Sequence, residues 1–173
     1  MNAPGTDHGT RRLGRVMTWL AALALLGVLW LFFEDALDRR NNPNRGLAVS
    51  PGSATELSLR RNAWGHYIAP GTINGQAVTF LLDTGATQVS IPAHLGPALG
   101  LEPGAAGRVS TANGEVTVRQ TTIAELGLGP FLARNVRGHL NPGMRDDQVL
   151  LGMSVLRHLE FTQRGDTLIL RAP

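Results

Sequence analysis

Residues 16–33 carry no charge, and this run divides the chain into parts that must fold in different solvents. It has close to the roughly 18 to 20 apolar residues that a helix needs to cross a bilayer's hydrocarbon core. In that core only a helix or a closed barrel satisfies its own backbone. The expectation is one uncleaved transmembrane helix over 16–33, with Trp30 near its far end as an interfacial anchor. A cleaved secretory signal would share the N-terminal place and the preceding basic tail, residues 1–15, with Arg11, Arg12 and Arg15. After Phe33, however, the chain reads Glu34-Asp35-Ala36-Leu37-Asp38-Arg39-Arg40, without the small-x-small pattern of a cleavage site. The three leading arginines lie closer to the membrane edge than Arg39, Arg40 and Arg45, so the charge rule favours a cytoplasmic N-terminus.

Beyond the span, residues 34–60 include Asn41-Asn42-Pro43-Asn44 and Ser50-Pro51-Gly52-Ser53, with few bulky apolar side chains. Such a segment has little with which to build a core and reads as a flexible linker. Residues 61–173 remain for a single domain, within the usual size of one core. The net charge of +3 comes from basic residues that are all arginine and are scattered, so the clustered footprint of a nucleic-acid binder is missing. There is no cysteine, which excludes disulfides and thiolate chemistry.

From Trp64 onward, short apolar runs are broken by Gly, Asn and Pro, the rhythm of a mostly β domain. Asn74-Gly75 separates two β-rich runs, and both residues tolerate the positive φ of a type I′ hairpin turn. The return strand, Ala77-Val78-Thr79-Phe80-Leu81-Leu82, therefore ends on Asp83. Asn113-Gly114 predicts a second hairpin between 108–111 and 115–120. Further short strands are expected over 123–128 and 131–136, then a helical stretch near 154–158 and a hairpin of 160–163 with 167–170.

Several motifs have plain structural readings. Ser154 in Gly152-Met153-Ser154-Val155-Leu156 lacks the closing glycine of a nucleophile elbow and is expected to be a helix N-cap. His8, His66, His94, His139 and His158 have no metal-ligand spacing, so they are expected at the surface or in turns, and no metal or cofactor is expected. Arg164-Gly165-Asp166 and Gly127-Leu128-Gly129 read as turns.

Asp83-Thr84-Gly85 reads differently, because an apolar strand delivers its carboxylate to a tight turn. Hydrolysing a peptide bond without metal or covalent nucleophile requires deprotonating water while protonating the carbonyl, and two close carboxylates sharing one proton do both. Glycine permits close backbone approach, and the Thr hydroxyl is free to lock the loop by a hydrogen bond. Only one such tripeptide exists: Asp146-Asp147-Gln148 and Asp166-Thr167-Leu168 lack the glycine. One copy per chain asks for two chains.

On these residues the chain, from about 64 to 170, resembles the retropepsin-like aspartic proteases, and in particular their small membrane-anchored bacterial branch. Leu81-Leu82-Asp83-Thr84-Gly85-Ala86 is similar to the family's catalytic turn, and the Asn113-Gly114 hairpin about thirty residues on is similar to its flap. Leu150-Leu151-Gly152-Met153 is similar to the apolar-apolar-Gly segment that threads beside that turn. The resemblance implies a single-lobe closed β-barrel of the acid-protease fold with one short helix, behind the transmembrane helix. It implies an endopeptidase active as a homodimer, with Asp83 catalytic, and Thr84 and Gly85 supporting the loop. Ala86, Thr111, Ala112, Asn113 and Gly114 would border a polypeptide substrate, and Leu151 and Gly152 would pack beside the active site. The bacterial branch implies an inner membrane, and the charge rule puts the domain on its periplasmic side. The hairpin departs from glycine-rich retroviral flaps in having only Gly114 at its tip. Two other readings stay open: a membrane-tethered adaptor that binds peptides without cutting them, and a membrane structural protein whose domain merely dimerises.

Overall fold

A computed structural model describes residues 7–47, 55–111 and 114–173. Two compact units emerge, residues 1–39 and 40–173. The first is built on helix α1 (Asp7–Asn41), which continues just into the second. Its stretch Leu13–Asn41 has a mean hydropathy of 2.3 in its most apolar window and buries none of that window, so it is long and apolar enough to cross a membrane. The helix exceeds the predicted 16–33 at both ends, because charged flanks such as Arg39 and Asp35 pair one helical turn apart at 2.9 Å and continue the helix in water.

The second unit is mostly β. Its strands are β1 (Glu56–Arg60), β2 (Ile68–Ile73), β3 (Gln76–Leu82), β4 (Val89–Pro92) and β5 (Ala106–Thr111). They continue with β6 (Gly114–Leu128), β7 (Phe131–Asn141), β8 (Gln148–Leu151), β9 (Glu160–Arg164) and β10 (Thr167–Arg171). Helix α2 (Met153–Leu156) sits between β8 and β9. Strands β2, β3, β8, β4, β7 and β6 hydrogen-bond in that order, and β6 pairs back onto β2, so six strands close a barrel. Closure leaves those strands without open edges. β5 extends from β6 as a hairpin arm.

The predicted turn at Asn74-Gly75 is present, with φ of 50° and 80° and Ile73 paired to Gln76. The barrel closes at Gly71, where a Cβ would lie 2.3 Å from the Phe80 ring and 2.5 Å from the Gly127 carbonyl oxygen. Phe80, Ile73, Val89, Ile91, Ile123, Leu126 and Leu151 fill the interior and are fully buried. The two predicted short strands after residue 120 are parts of longer ones, since β6 spans 15 residues and β7 spans 11. The turn after Arg164 is as predicted, with Arg164 paired to Thr167 and Gly165 at φ 57°.

The stretch 34–60, predicted to be a flexible linker, carries ordered structure at both ends. At its start α1 continues to Asn41, and at its end β1 pairs antiparallel with β10 in a separate three-stranded sheet, β1-β10-β9. The alternation of Glu56-Leu57-Ser58-Leu59-Arg60 buries Leu57 and Leu59 in the same core cluster as Leu168 and Leu170. Asn44, also within that stretch, is buried: its side chain accepts from the Arg60 N–H and donates to the Arg60 and Ile68 carbonyls, each at 2.8 Å. An Asn side chain here satisfies backbone groups as a neighbouring strand would.

Candidate active site

Strand β3 pairs in parallel with β8, matching Leu82 to Leu151, and this register delivers Asp83 to the mouth of the barrel. The Asp83 N–H donates to the Leu151 carbonyl at 3.1 Å, and the Asp83 carbonyl accepts from Ala86 N–H at 3.2 Å, turning the chain. The Asp83 Oδ1 accepts from the Gly85 N–H at 2.9 Å, which fixes the carboxylate against its own loop. A Cβ at Gly85 would stand 3.2 Å from that same oxygen, closer than ordinary contact, so a side chain there would press on the carboxylate.

The segment after β8 locks the loop from behind. Met153 N–H donates to the Ala86 carbonyl at 2.8 Å, and Ser154 N–H donates to the Thr87 carbonyl at 2.9 Å. At Gly152 a Cβ would lie 2.4 Å from the Gln88 oxygen and 2.6 Å from the Ala86 oxygen, so only glycine lets the two backbones cross this closely. Gly152, not Ser154, is the N-cap of α2; Ser154 lies inside the helix, because the Leu156 and Arg157 amides that its hydroxyl would have capped already bond to the Gly152 and Met153 carbonyls.

Asp83, Gly85, Ala86 and Thr111 line one cleft of about 790 Å³. Leu151 and Gly152 lie behind the loop and are buried, Thr84 is exposed beside the cleft, and Gly114 begins β6 opposite Thr111. The Thr111 hydroxyl donates to the Gly114 carbonyl at 2.8 Å. Ala112 and Asn113 lie outside the described residues. Asp83 is the only carboxylate among the described residues lining the cleft, and Arg108 on β5 is the only full cation there. No group of three or more His, Asp or Glu is placed to hold a metal among the described residues.

The sequence reading missed much of the cleft wall. Gln88, Ser90, Gln120, His139, Asn141 and Leu150 all line it, from five different segments. His139, expected at the surface or in a turn, lies within β7 and is only 7% exposed. Burial pushes its imidazole pKa below the ordinary histidine value. Ser90 Oγ donates to Met144 Sδ at 3.2 Å and is approached by the Asn141 amide at 3.4 Å. Alternation within each strand was the available signal, but nothing local said which face the barrel would turn toward Asp83.

Likeness to known proteins agrees with this geometry. Residues 69–158 match the family described as "gag-polyprotein putative aspartyl protease", which spans the Asp83 loop, the β5–β6 hairpin and the β8–α2 crossing. A solved retropepsin-like aspartic protease from Rickettsia conorii superposes with a TM-score of 0.58 at 30% identity, over 68% of this chain and 90% of that one. An uncharacterised Sinorhizobium protein from the 5′ region of cobV is 32% identical, covering 92% of this chain and 73% of that one. By sequence match, barrel topology and the arrangement of the Asp83 loop, the chain belongs to the retropepsin-like aspartic proteases.

Proposed function

We propose that this protein is a membrane-anchored aspartic endopeptidase whose active site assembles from two copies of the chain, with Asp83 of each supplying one carboxylate. The observation that carries this reading is the lone Asp83 in a built cleft: its loop is held by hydrogen bonds on both sides, yet no second carboxylate lines the cleft among the described residues. A two-fold axis beside the exposed Thr84 would bring the second carboxylate, because a two-fold contact places the same residue on both sides. One Asp83 then acts as base toward water and its mate as acid toward the carbonyl oxygen. Thr84 would hydrogen-bond across the axis, and the β5–β6 arms, including Ala112, Asn113 and Gly114, would cover an extended substrate laid as an added strand.

Helix α1 is the anchor in this reading, with Arg11, Arg12 and Arg15 in the cytoplasm and the domain in the periplasm of a bacterial inner membrane. Tethering two copies to one membrane raises their effective concentration and favours pairing.

The test is a peptide-library digest by the full chain in detergent micelles, comparing wild type, Asp83→Asn and mixtures of the two. Asn preserves the Oδ1 acceptor toward Gly85, so the variant is expected to fold and to cut nothing. In a mixture in equal amounts, random pairing in a two-fold dimer leaves about a quarter of wild-type activity, where independent monomers would leave about half. Full activity of Asp83→Asn overturns the catalytic assignment, and a half-value in the mixture overturns the shared site. Tight peptide binding without cleavage by the wild type would favour the adaptor reading.

A further inference from the structure

The barrel wall beside Asp83 carries a row of side chains whose centre is both polar and buried. Gln120 on β6 is the register partner of His139 on β7, His139 that of Ser90 on β4, and Ser90 that of Leu150 on β8. Residues in one cross-strand row share a face of the sheet, and all four line the cleft with Asp83. Three of the four are polar. Ser90 and His139, in the middle of the row, are 4% and 7% exposed, while Gln120 at its end is exposed.

Buried polar atoms ordinarily have partners, and exceptions ask for a reason. Ser90 is accommodated within the protein by Met144 and Asn141. His139 Nδ1 and Gln88 Oε1 are not: both are buried without any hydrogen-bond partner, and both belong to side chains lining this cleft. Their terminal torsions are of the broad, two-fold kind, so the imidazole and the amide are free to turn toward a polar group in the cleft.

We infer that this wall is a specificity subsite for an uncharged, hydrogen-bonding side chain of the peptide substrate, an amide or a hydroxyl, recognised by His139 and Gln88. An aliphatic side chain would leave both atoms without partners, whereas a hydrogen-bonding one supplies them, so a polar side chain is favoured over an apolar analogue of the same shape. Gln88 carries no charge and His139 is buried, so neither supplies the counter-charge that a charged side chain would need on leaving water, and a neutral polar group fits better. The inference rests on the proposed peptidase function only in taking a peptide as the ligand.

Asn and Leu are nearly isosteric, and they provide the test. Peptides made uncleavable by a reduced central bond, identical except for Asn or Leu at each of the two positions on either side of it, are titrated calorimetrically into the full chain in micelles. At one position the Asn peptide should bind at least about tenfold more tightly than the Leu peptide, as expected where polar groups of a site are otherwise unpaired. That preference should fall away or invert in His139→Leu, and also in Gln88→Met, which lies on a partly exposed loop and serves if the first variant fails to fold. Equal or tighter binding of Leu peptides at every position, an Asn preference unchanged in the variants, or no peptide binding at all would overturn the subsite. Because binding is read without cleavage, the two readings fail separately. Asn-selective binding by a chain that never cuts would remove the peptidase and keep the subsite; cutting beside aliphatic residues alone would do the reverse.

Discussion

Replacing Gly152 with Ala tests whether the crossing behind the loop holds Asp83 in place. Gly152 has φ −90° and ψ −176°, an extended conformation open to alanine, so the substitution introduces no backbone strain of its own. The added Cβ would instead stand 2.4 Å from the Gln88 oxygen, 2.6 Å from the Ala86 oxygen and 2.9 Å from the Gln88 carbonyl carbon, where ordinary contacts begin near 3.4 Å. All three are backbone atoms and have no rotamer to change. Relief requires displacing residues 86–88 or peeling Met153 and Ser154 from their bonds to Ala86 and Thr87. Overpacking of this kind costs about 1–3 kcal/mol, and each weakened hydrogen bond adds about 0.5–1.5 kcal/mol. Against the roughly 5–15 kcal/mol of a typical domain the fold survives, with Tm lower by roughly 5–15 °C. Activity should suffer more, because a shift of about 1 Å in a reacting group costs on the order of a hundredfold in rate. The assay pairs a thermal melt with kcat/KM on a peptide substrate, and uses Gly46→Ala, where a Cβ meets nothing within 4 Å, as control. Wild-type kcat/KM and Tm in Gly152→Ala would refute the argument that this crossing positions the loop.

Other parts of the structure carry their own expected outcomes. Asp83→Asn should melt within about 2 °C of wild type while losing all cleavage, since it keeps the acceptor toward Gly85; a collapse in Tm would assign the carboxylate a structural role. Asn44→Ala should lower unfolding free energy in a denaturant titration by about 2–4 kcal/mol, because it strands the Arg60 N–H and two carbonyls, each at about 1–3 kcal/mol before water returns. A loss below about 0.5 kcal/mol would show that this contact is dispensable. His139 has a pKa lowered by burial, so the unfolded chain binds its proton first as pH falls. Its contribution is complete above about pH 6.5 and is lost as pH drops through that value toward the lower folded pKa. Wild type should therefore lose more Tm than His139→Gln between pH 7 and 5, and parallel curves would contradict the burial of a neutral imidazole there.

Much of the fold is readable from local signals. Asn74-Gly75 announces a turn because its two residues accept positive φ, and the strand leading to Asp83 is visible as the β-prone run of residues 77–82, ending in Phe80-Leu81-Leu82. The proximity of Leu151 and Gly152 to the Asp83 loop came from resemblance, and the register Leu82 to Leu151 places them there. By contrast, β1 is hidden in a segment that reads as linker, although Leu57 and Leu59 alternate with polar neighbours. Five residues of alternation are a weak signal, and the partner that makes them a strand, β10, lies more than a hundred residues away in sequence. Ser154 reads as a cap because its sequence context does not reveal that the helix already starts at Gly152, where the Ala86 and Thr87 carbonyls hold the Met153 and Ser154 amides.

One Asp-Thr-Gly loop, one apolar helix and a run of β-hairpins are legible in the bare chain, because turn chemistry, periodicity and charge are properties of neighbours along it. The surroundings of Asp83 are not legible there and are set by folding in three dimensions. Gln88, Ser90, Gln120, His139 and Leu150 come from four strands and a loop, and they meet because barrel closure selects one register among long-range pairings. That register is chosen by the burial of Val89, Ile91, Ile123 and Val149 on the opposite face of the same strands. The polar character of the cleft wall is thus set by packing that no short stretch of the chain encodes.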